Sequence, residues 1–423
     1  MITIGSIDMI YNVLLFIVSI LIYFSFGIKP FLFIVFSTLS TYIVGRYVKG
    51  RKWLLVISIL VNVLLLGYFK FFIDYWNGLK LIVPLGISYY TLQVISYLVD
   101  VYKGKYKYES NLLYLALFVT YLPHLYIGPI SRYNEIKEEL ERKKSFNWNR
   151  IYEGLQRIVW GLIKKLIIAS RIAILINSIT SNEMTGIIIF VCCLLYSIEL
   201  YSDFSGGIDI VLGISKILDL KLVENFNSPY LSENMKEFWS RWHISLSNWL
   251  RDYVYIPLGG NRKGKLRQMI NVMITFLVSG IWHGINYIVW GLIHGILVIL
   301  GDKYNCKYKW INRAINYVIV SLLWIFFIYQ DNLTSLVMFT KIFDNFKLPL
   351  LSLGLNIWDF VILGISVLML IIYDIKKDKI LEMGKKLKVE YKTILLCLSI
   401  ILVIVFGIYG IGFEVTDFIY SKF

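Results

Sequence analysis

Four histidines, His124, His243, His283 and His294, are the side chains of this 423-residue chain best suited to moving protons. His283 stands in Ser279-Gly280-Ile281-Trp282-His283-Gly284, inside an uncharged run from Gln268 to Gly301. An ionisable group in so apolar a setting is costly to keep and tends to mark a task. Held dry, an imidazole stays neutral and can take a proton from a hydroxyl, which is the work of a general base. The competing reading is a hydrogen bond to a neighbouring helix, with Gly280 and Gly284 forming a small-xxx-small contact. His243 sits in an aromatic-rich segment where an interfacial histidine could equally snorkel among tryptophans. His294, in Trp290-Gly291-Leu292-Ile293-His294-Gly295, reads as a packing residue, and His124, after Pro123, as the cap of a helix break. Asp203 and Asp209 could hold a proton, line a tunnel or orient a helix end; structural use fits them best. No phosphate loop, zinc motif or nucleophile elbow is present, so metal and nucleotide chemistry are not expected.

The elements that must position these groups are membrane helices. Hydrophobic residues make up 58% of the chain and the mean hydropathy is +0.67, outside the soluble globular range. Runs free of charged residues recur from Met9–Ile28 through Trp53–Phe69, Leu81–Val99, Met184–Ile198 and Ala314–Gln330 to Thr393–Phe413. A helix needs about 20 residues to cross hydrocarbon. The runs therefore predict an all-α polytopic membrane protein, one domain over residues 1–423, with about 10 to 12 spans plus re-entrant or interfacial helices. Met9–Ile28 lacks the basic start and cleavage site of a signal peptide and reads as a retained span.

The formal net charge of +15 comes from short clusters between runs, such as Arg46, Lys49, Arg51 and Lys52, or Arg262, Lys263, Lys265 and Arg267. That is the pattern of loops at anionic headgroups and argues for the bilayer, not nucleic acid, as partner. Cys192, Cys193, Cys306 and Cys397 have no metal-ligand or redox spacing and read as packing residues. The most polar stretch is Ile214–Arg267. Asn234 and Glu237 form a possible capping pair, and Pro257 to Asn261 is a stop. Between them the spacing predicts one aromatic helix carrying Trp239, Trp242, Trp249, Tyr253 and Tyr255 with Arg241, Arg251 and Asp252, lying at the interface or dipping into a protein-lined cavity.

Taken in order, EFWSRWHISLS at Glu237–Ser247, LRDYVYIPLGGNR at Leu250–Arg262 and GIWHG at Gly280–Gly284 resemble the membrane-bound O-acyltransferase family. Upstream, PLGISYYTLQ at Pro84–Gln93, SYLVDVY at Ser96–Tyr102 and Gly128-Pro129-Ile130 extend the resemblance over about Pro84 to Leu300. Within the family the series is similar to the bacterial branch that O-acetylates alginate and peptidoglycan.

The resemblance implies helices around a central tunnel, with His283 as catalytic histidine and His243 beside it. Arg241, Trp242, Trp282, Asp252 and Asp203 become candidates for lining the tunnel or binding substrate. It further implies a cytoplasmic thioester donor such as acetyl-CoA, no tightly bound cofactor, residence in the cytoplasmic membrane, and an extracytoplasmic SGNH-type partner that completes transfer to an envelope polysaccharide. D-alanyl transfer to teichoic acid by the same chemistry is the first alternative, although the Ile256–Gly264 turn is written as in the acetyl branch. A proton-coupled transporter is the alternative from another class; the missing inverted repeat weighs against it.

Overall fold

A segment facing hydrocarbon must satisfy its backbone hydrogen bonds internally, and the apolar runs do so as helices. The computed structural model describes residues 4–73, 83–180, 184–301, 306–344 and 353–409. Of the described residues 79% are helical, and none lies in a strand. Residues 81–82 and 410–413, the ends of two expected runs, lie outside them.

The chain forms two compact units, one from residues up to Gly154 with Val211–Val223, the other from Leu155–Ile210 with residues after Val223. The first unit holds α1 (Ile4–Ser25), α2 (Ile28–Tyr47) and α3 (Lys52–Gly67), which expose apolar side chains such as Leu14, Leu32 and Leu64. Against them packs α4 (Ile87–Tyr102), buried along most of its length. The short helices α5 (Leu112–Thr120), α6 (Leu122–Tyr126) and α7 (Tyr133–Glu141) follow. The Pro84–Gln93 motif packs against the residues that flank Gly128–Ile130 for a steric reason. Gly86 has φ +72°, and a Cβ on it would stand 2.5 Å from the Leu125 carbonyl oxygen. His124 is no helix cap: its buried ring joins Ser131 Oγ at 3.2 Å on Nε2 and Gln93 Nε2 at 3.5 Å on Nδ1, tying both motifs together.

Helix α8 (Trp148–Leu162) leads into the second unit through a π-helical stretch, Ile163–Ala169, followed by α9 (Ser170–Thr180) and the long α10 (Gly186–Ile217). Gly161 and Gly206 let α8 and α10 approach backbone to backbone; a Cβ on Gly161 would lie 2.5 Å from the Gly206 oxygen. Then come α11 (Met235–Arg241), α12 (Ile244–Leu250), α13 (Lys265–His283), α14 (Ile288–Leu300), α15 (Lys309–Leu323), α16 (Ile325–Tyr329), α17 (Asn332–Lys341), α18 (Ile357–Lys386) and α19 (Val389–Phe406).

Among the described residues seven helical segments are long and apolar enough to cross a membrane, so this is a multi-pass membrane protein. Two further apolar stretches form shorter helices, Leu112–Tyr126 and Ile285–Leu300. The Gln268–Gly301 run, expected to make two passes, breaks at Gly284, and its second helix has 13 residues, about 20 Å of rise.

Candidate active site

The site is built where α11, α12, α13, α14 and the α15–α16 break of the second unit converge. Asn234 caps α11, its Oδ1 accepting from Glu237 N at 2.8 Å, as the sequence suggested. The single aromatic helix expected beyond it does not form. Trp242 is extended and His243 adopts the left-handed conformation, φ 45° and ψ 53°, which divides the segment into α11 and α12. An L-residue there costs about 1–2 kcal/mol, so the break persists only because its surroundings hold it. Asn225 does much of that holding. Its carbonyl accepts Ile244 N–H at 3.0 Å and its Oδ1 accepts Ser245 N–H at 3.0 Å, supplying the first turn of α12. Nothing in the sequence marked Asn225, because its partners lie twenty residues away across a loop. A π-helical turn, Arg251–Tyr255, then continues α12.

His283 is the last residue of α13. Gly284 follows with φ 150°, its N–H bonded to the Gly280 oxygen, and turns the chain back into α14. The small-xxx-small reading of Gly280 with Gly284 is replaced by a cross-helix contact: a Cβ on Gly280 would meet the Tyr287 oxygen at 2.6 Å, and one on Gly291 the Phe276 oxygen at 2.5 Å. The hairpin is thereby tight enough to fold the GIWHG motif against α14.

These two breaks bring the sequence-picked histidines together. The Trp282 ring contacts both, at 6.2 Å from His243 and 4.8 Å from His283, centroid to centroid. Phe204 of α10 lies edge-on to His243 at 5.0 Å, and His283 is flanked by Trp290 at 5.3 Å and Phe327 at 5.7 Å. Trp324, at the α15–α16 break, links Trp242 at 5.2 Å to Trp290 at 5.9 Å. Trp324 and Phe327 were invisible as site residues, since in sequence they belong to one more apolar run. Both histidines are buried, His243 at 1% and His283 at 4% exposure. His243 lies outside the seven spans, and burial pushes its imidazole down to about 3, leaving it neutral. His294 supports the wall: Trp239 Nε1–H donates to its Nδ1 at 3.3 Å.

The other sequence-picked residues divide. Trp242 is fully buried, and its Nε1–H has no acceptor among the described residues. Arg241 turns instead to Glu237 at 2.7 Å, and Asp252 accepts from its neighbour Arg251 at 2.9 Å. Asp203 is ion-paired with Lys165 of the π-helical stretch, one residue before the Phe204 that touches His243. Asp209 binds Lys164 and Arg157, the latter at 3.0 Å. Such an arrangement, two buried imidazoles in a dry aromatic wall, can accept and return a proton while excluding water.

Residues 107–340 match the model described as MBOAT, membrane-bound O-acyltransferase family. The chain is 37% identical over 306 residues to the probable alginate O-acetylase AlgI of Pseudomonas syringae pv. tomato, covering 67% of this chain and 58% of that protein. It is 35% identical over 326 residues to the peptidoglycan O-acetyltransferase of Helicobacter pylori, covering 66% of this chain and 62% of the relative. Identity to the teichoic acid D-alanyltransferase of Bacillus subtilis is 33% over 250 residues, 55% of this chain and 63% of the relative. The chain thus spans less than two thirds of the length of each of these relatives. Since the matched segment is more than half of the 423 residues and carries His243, Trp282 and His283 in their aromatic wall, the chain belongs to the membrane-bound O-acyltransferase family.

Proposed function

We propose that this protein is an O-acetyltransferase that moves acetyl from a cytoplasmic thioester, acetyl-CoA or a similar donor, towards a polysaccharide of the cell envelope. The observation that carries the reading is the buried His243–Trp282–His283 group inside the family-matching segment. In the scheme, neutral His283 accepts the proton of the acceptor hydroxyl while the hydroxyl oxygen attacks the thioester carbonyl. The tetrahedral oxyanion collapses, the carbon–sulfur bond breaks, and His283 returns the proton to the leaving thiolate. Arg241 is engaged by Glu237, which leaves the Trp242 indole N–H and His243 as the candidate donors to the oxyanion. A tunnel open to both faces would let donor and acceptor meet without water.

The proposal extends to residence in the cytoplasmic membrane and to an extracytoplasmic SGNH-type partner that finishes the transfer. D-alanyl transfer is the second reading, favoured by the similarity to the Bacillus subtilis protein. Proton-coupled transport draws no support from the relatives, which are named for group transfer. The test is to delete the gene, complement with wild type or His283→Ala at equal membrane level, and measure ester-linked acetate and D-alanine released from envelope polymers by mild base. Acetate restored by wild type alone supports the reading; D-alanine responding instead moves the assignment to the second reading. No response of either ester rejects acyl transfer.

A further inference from the structure

In the first unit, α2 and α3 are joined by the turn Val48–Arg51 and border, with α4, a cavity of about 230 Å³. Its walls include Phe36 and Val44 of α2 and Leu54, Ile57, Val61 and Leu65 of α3. Phe36, Ile57 and Val61 are 55%, 50% and 41% exposed, so the cavity opens sideways on a face that two membrane spans present to lipid. Three polar side chains on the walls of α2 and α3 bond back to their own helices. Ser40 Oγ donates to the Ser37 oxygen at 3.1 Å, Ser58 Oγ to the Leu54 oxygen at 2.8 Å, and Asn62 Nδ2 to the Ser58 oxygen at 2.9 Å. What remains for an occupant is an apolar slot. Its lining runs from Phe33 to Val44 on one helix and from Leu54 to Leu65 on the other, about 16 Å of helix rise.

The Val44–Leu54 end abuts the α2–α3 junction, where Arg46 in the last turn of α2, Lys49 and Arg51 in the turn and Lys52 at the start of α3 are all exposed. Among the described residues no carboxylate pairs with any of the four. Arg46 is also held in place: its guanidinium lies 4.4 Å over the Tyr42 ring and donates to the Tyr42 hydroxyl, which in turn donates to the Ser110 oxygen at 2.6 Å. A slot open to hydrocarbon that ends at unneutralised cations is complementary to one molecule class. We propose that it binds an anionic phospholipid, with an acyl chain between α2, α3 and α4 and the phosphate at the α2–α3 turn. This site is separate from the histidines and stands whether or not the acyl-transfer reading does.

A basic turn alone would attract any anionic surface, so the test separates the slot from the charge. The purified full chain, in detergent, is mixed with phosphatidylglycerol or phosphatidylcholine of identical acyl chains, and retained lipid is counted by native mass spectrometry. Wild type is expected to retain phosphatidylglycerol in preference. Each cation near an anionic headgroup is worth a factor of about five, so Arg46→Gln with Arg51→Gln lowers that preference about 25-fold. Ile57→Trp fills the slot and lowers retention of both lipids; Ser58→Phe does the same should the first variant not be recovered folded. Leu60→Trp, on the same helix at 53% exposure but off the slot, leaves retention as in wild type. Equal retention of the two lipids by wild type, or wild-type retention by both slot-filled variants, overturns the proposal.

Discussion

The left-handed backbone at His243 can be isolated by comparing two truncations, His243→Ala and His243→Gly. Both remove the same imidazole and the same contacts with Phe204 and Trp282, so lost packing cancels in the difference. What remains is the backbone at φ 45°. Alanine there pays about 1–2 kcal/mol that glycine does not. Glycine gives back about 0.4–1 kcal/mol through its larger freedom in the unfolded chain. The glycine variant is therefore expected to be the more stable by about 0.5–1 kcal/mol, whereas in a helix interior alanine wins by about the same amount. The sign alone decides between a continuous aromatic helix and the break described above. Equilibrium unfolding of the purified proteins in mixed micelles, followed by tryptophan fluorescence, gives the comparison. An alanine variant at least as stable as the glycine one would refute the break and, with it, the reason His243 faces Trp282. If His243 donates to the oxyanion as proposed, acyl transfer falls about equally in both, by roughly 10²- to 10³-fold.

Asn225→Leu should cost about 1–3 kcal/mol by orphaning the buried Ser245 N–H and should lower activity with His283 untouched; a fully active variant of wild-type stability would remove Asn225 from the account. Gly291→Leu forces a side chain onto the Phe276 carbonyl and should prevent recovery of folded protein, read by size-exclusion chromatography, where Gly364→Leu, with open space around it, should not. For the buried Lys165–Asp203 pair, Asp203→Asn or Lys165→Met alone should destabilise by about 3–5 kcal/mol, and the double variant by much less; additive losses would mean the pair is not coupled. Asp219 lies beyond the end of α10. Burial would raise its carboxyl pKa, but the Arg142 guanidinium at 2.7 Å, with Ser145 N–H and Arg150, holds it below the usual range. A depressed folded value means that this contribution is complete above about pH 4 and is lost as pH falls through the folded value. Acid titration of stability should therefore flatten in Asp219→Asn, and an unchanged acid limb would contradict it.

How the chain divides between what is local and what is not can be argued from particular residues. Composition by itself determined the membrane, because the free energy of placing a run in hydrocarbon sums over residues wherever they end up. The motif order likewise points to His283 and His243 and to a family, and the Asn234 cap is a bond spanning three residues. The chain passes between the two compact units inside α8 and α10, so no linker marks the passage in composition. Where an apolar run is folded back on itself hydropathy does not see, as at Gly284, which ends α13 and turns the chain into α14. The conformation of His243 depends on Asn225, the wall around His283 on Trp324 and Phe327, and the quiet pairing of Asp203 on Lys165. Each is a contact between segments distant in sequence, satisfied only once the helices have packed, and only the tertiary structure could decide it.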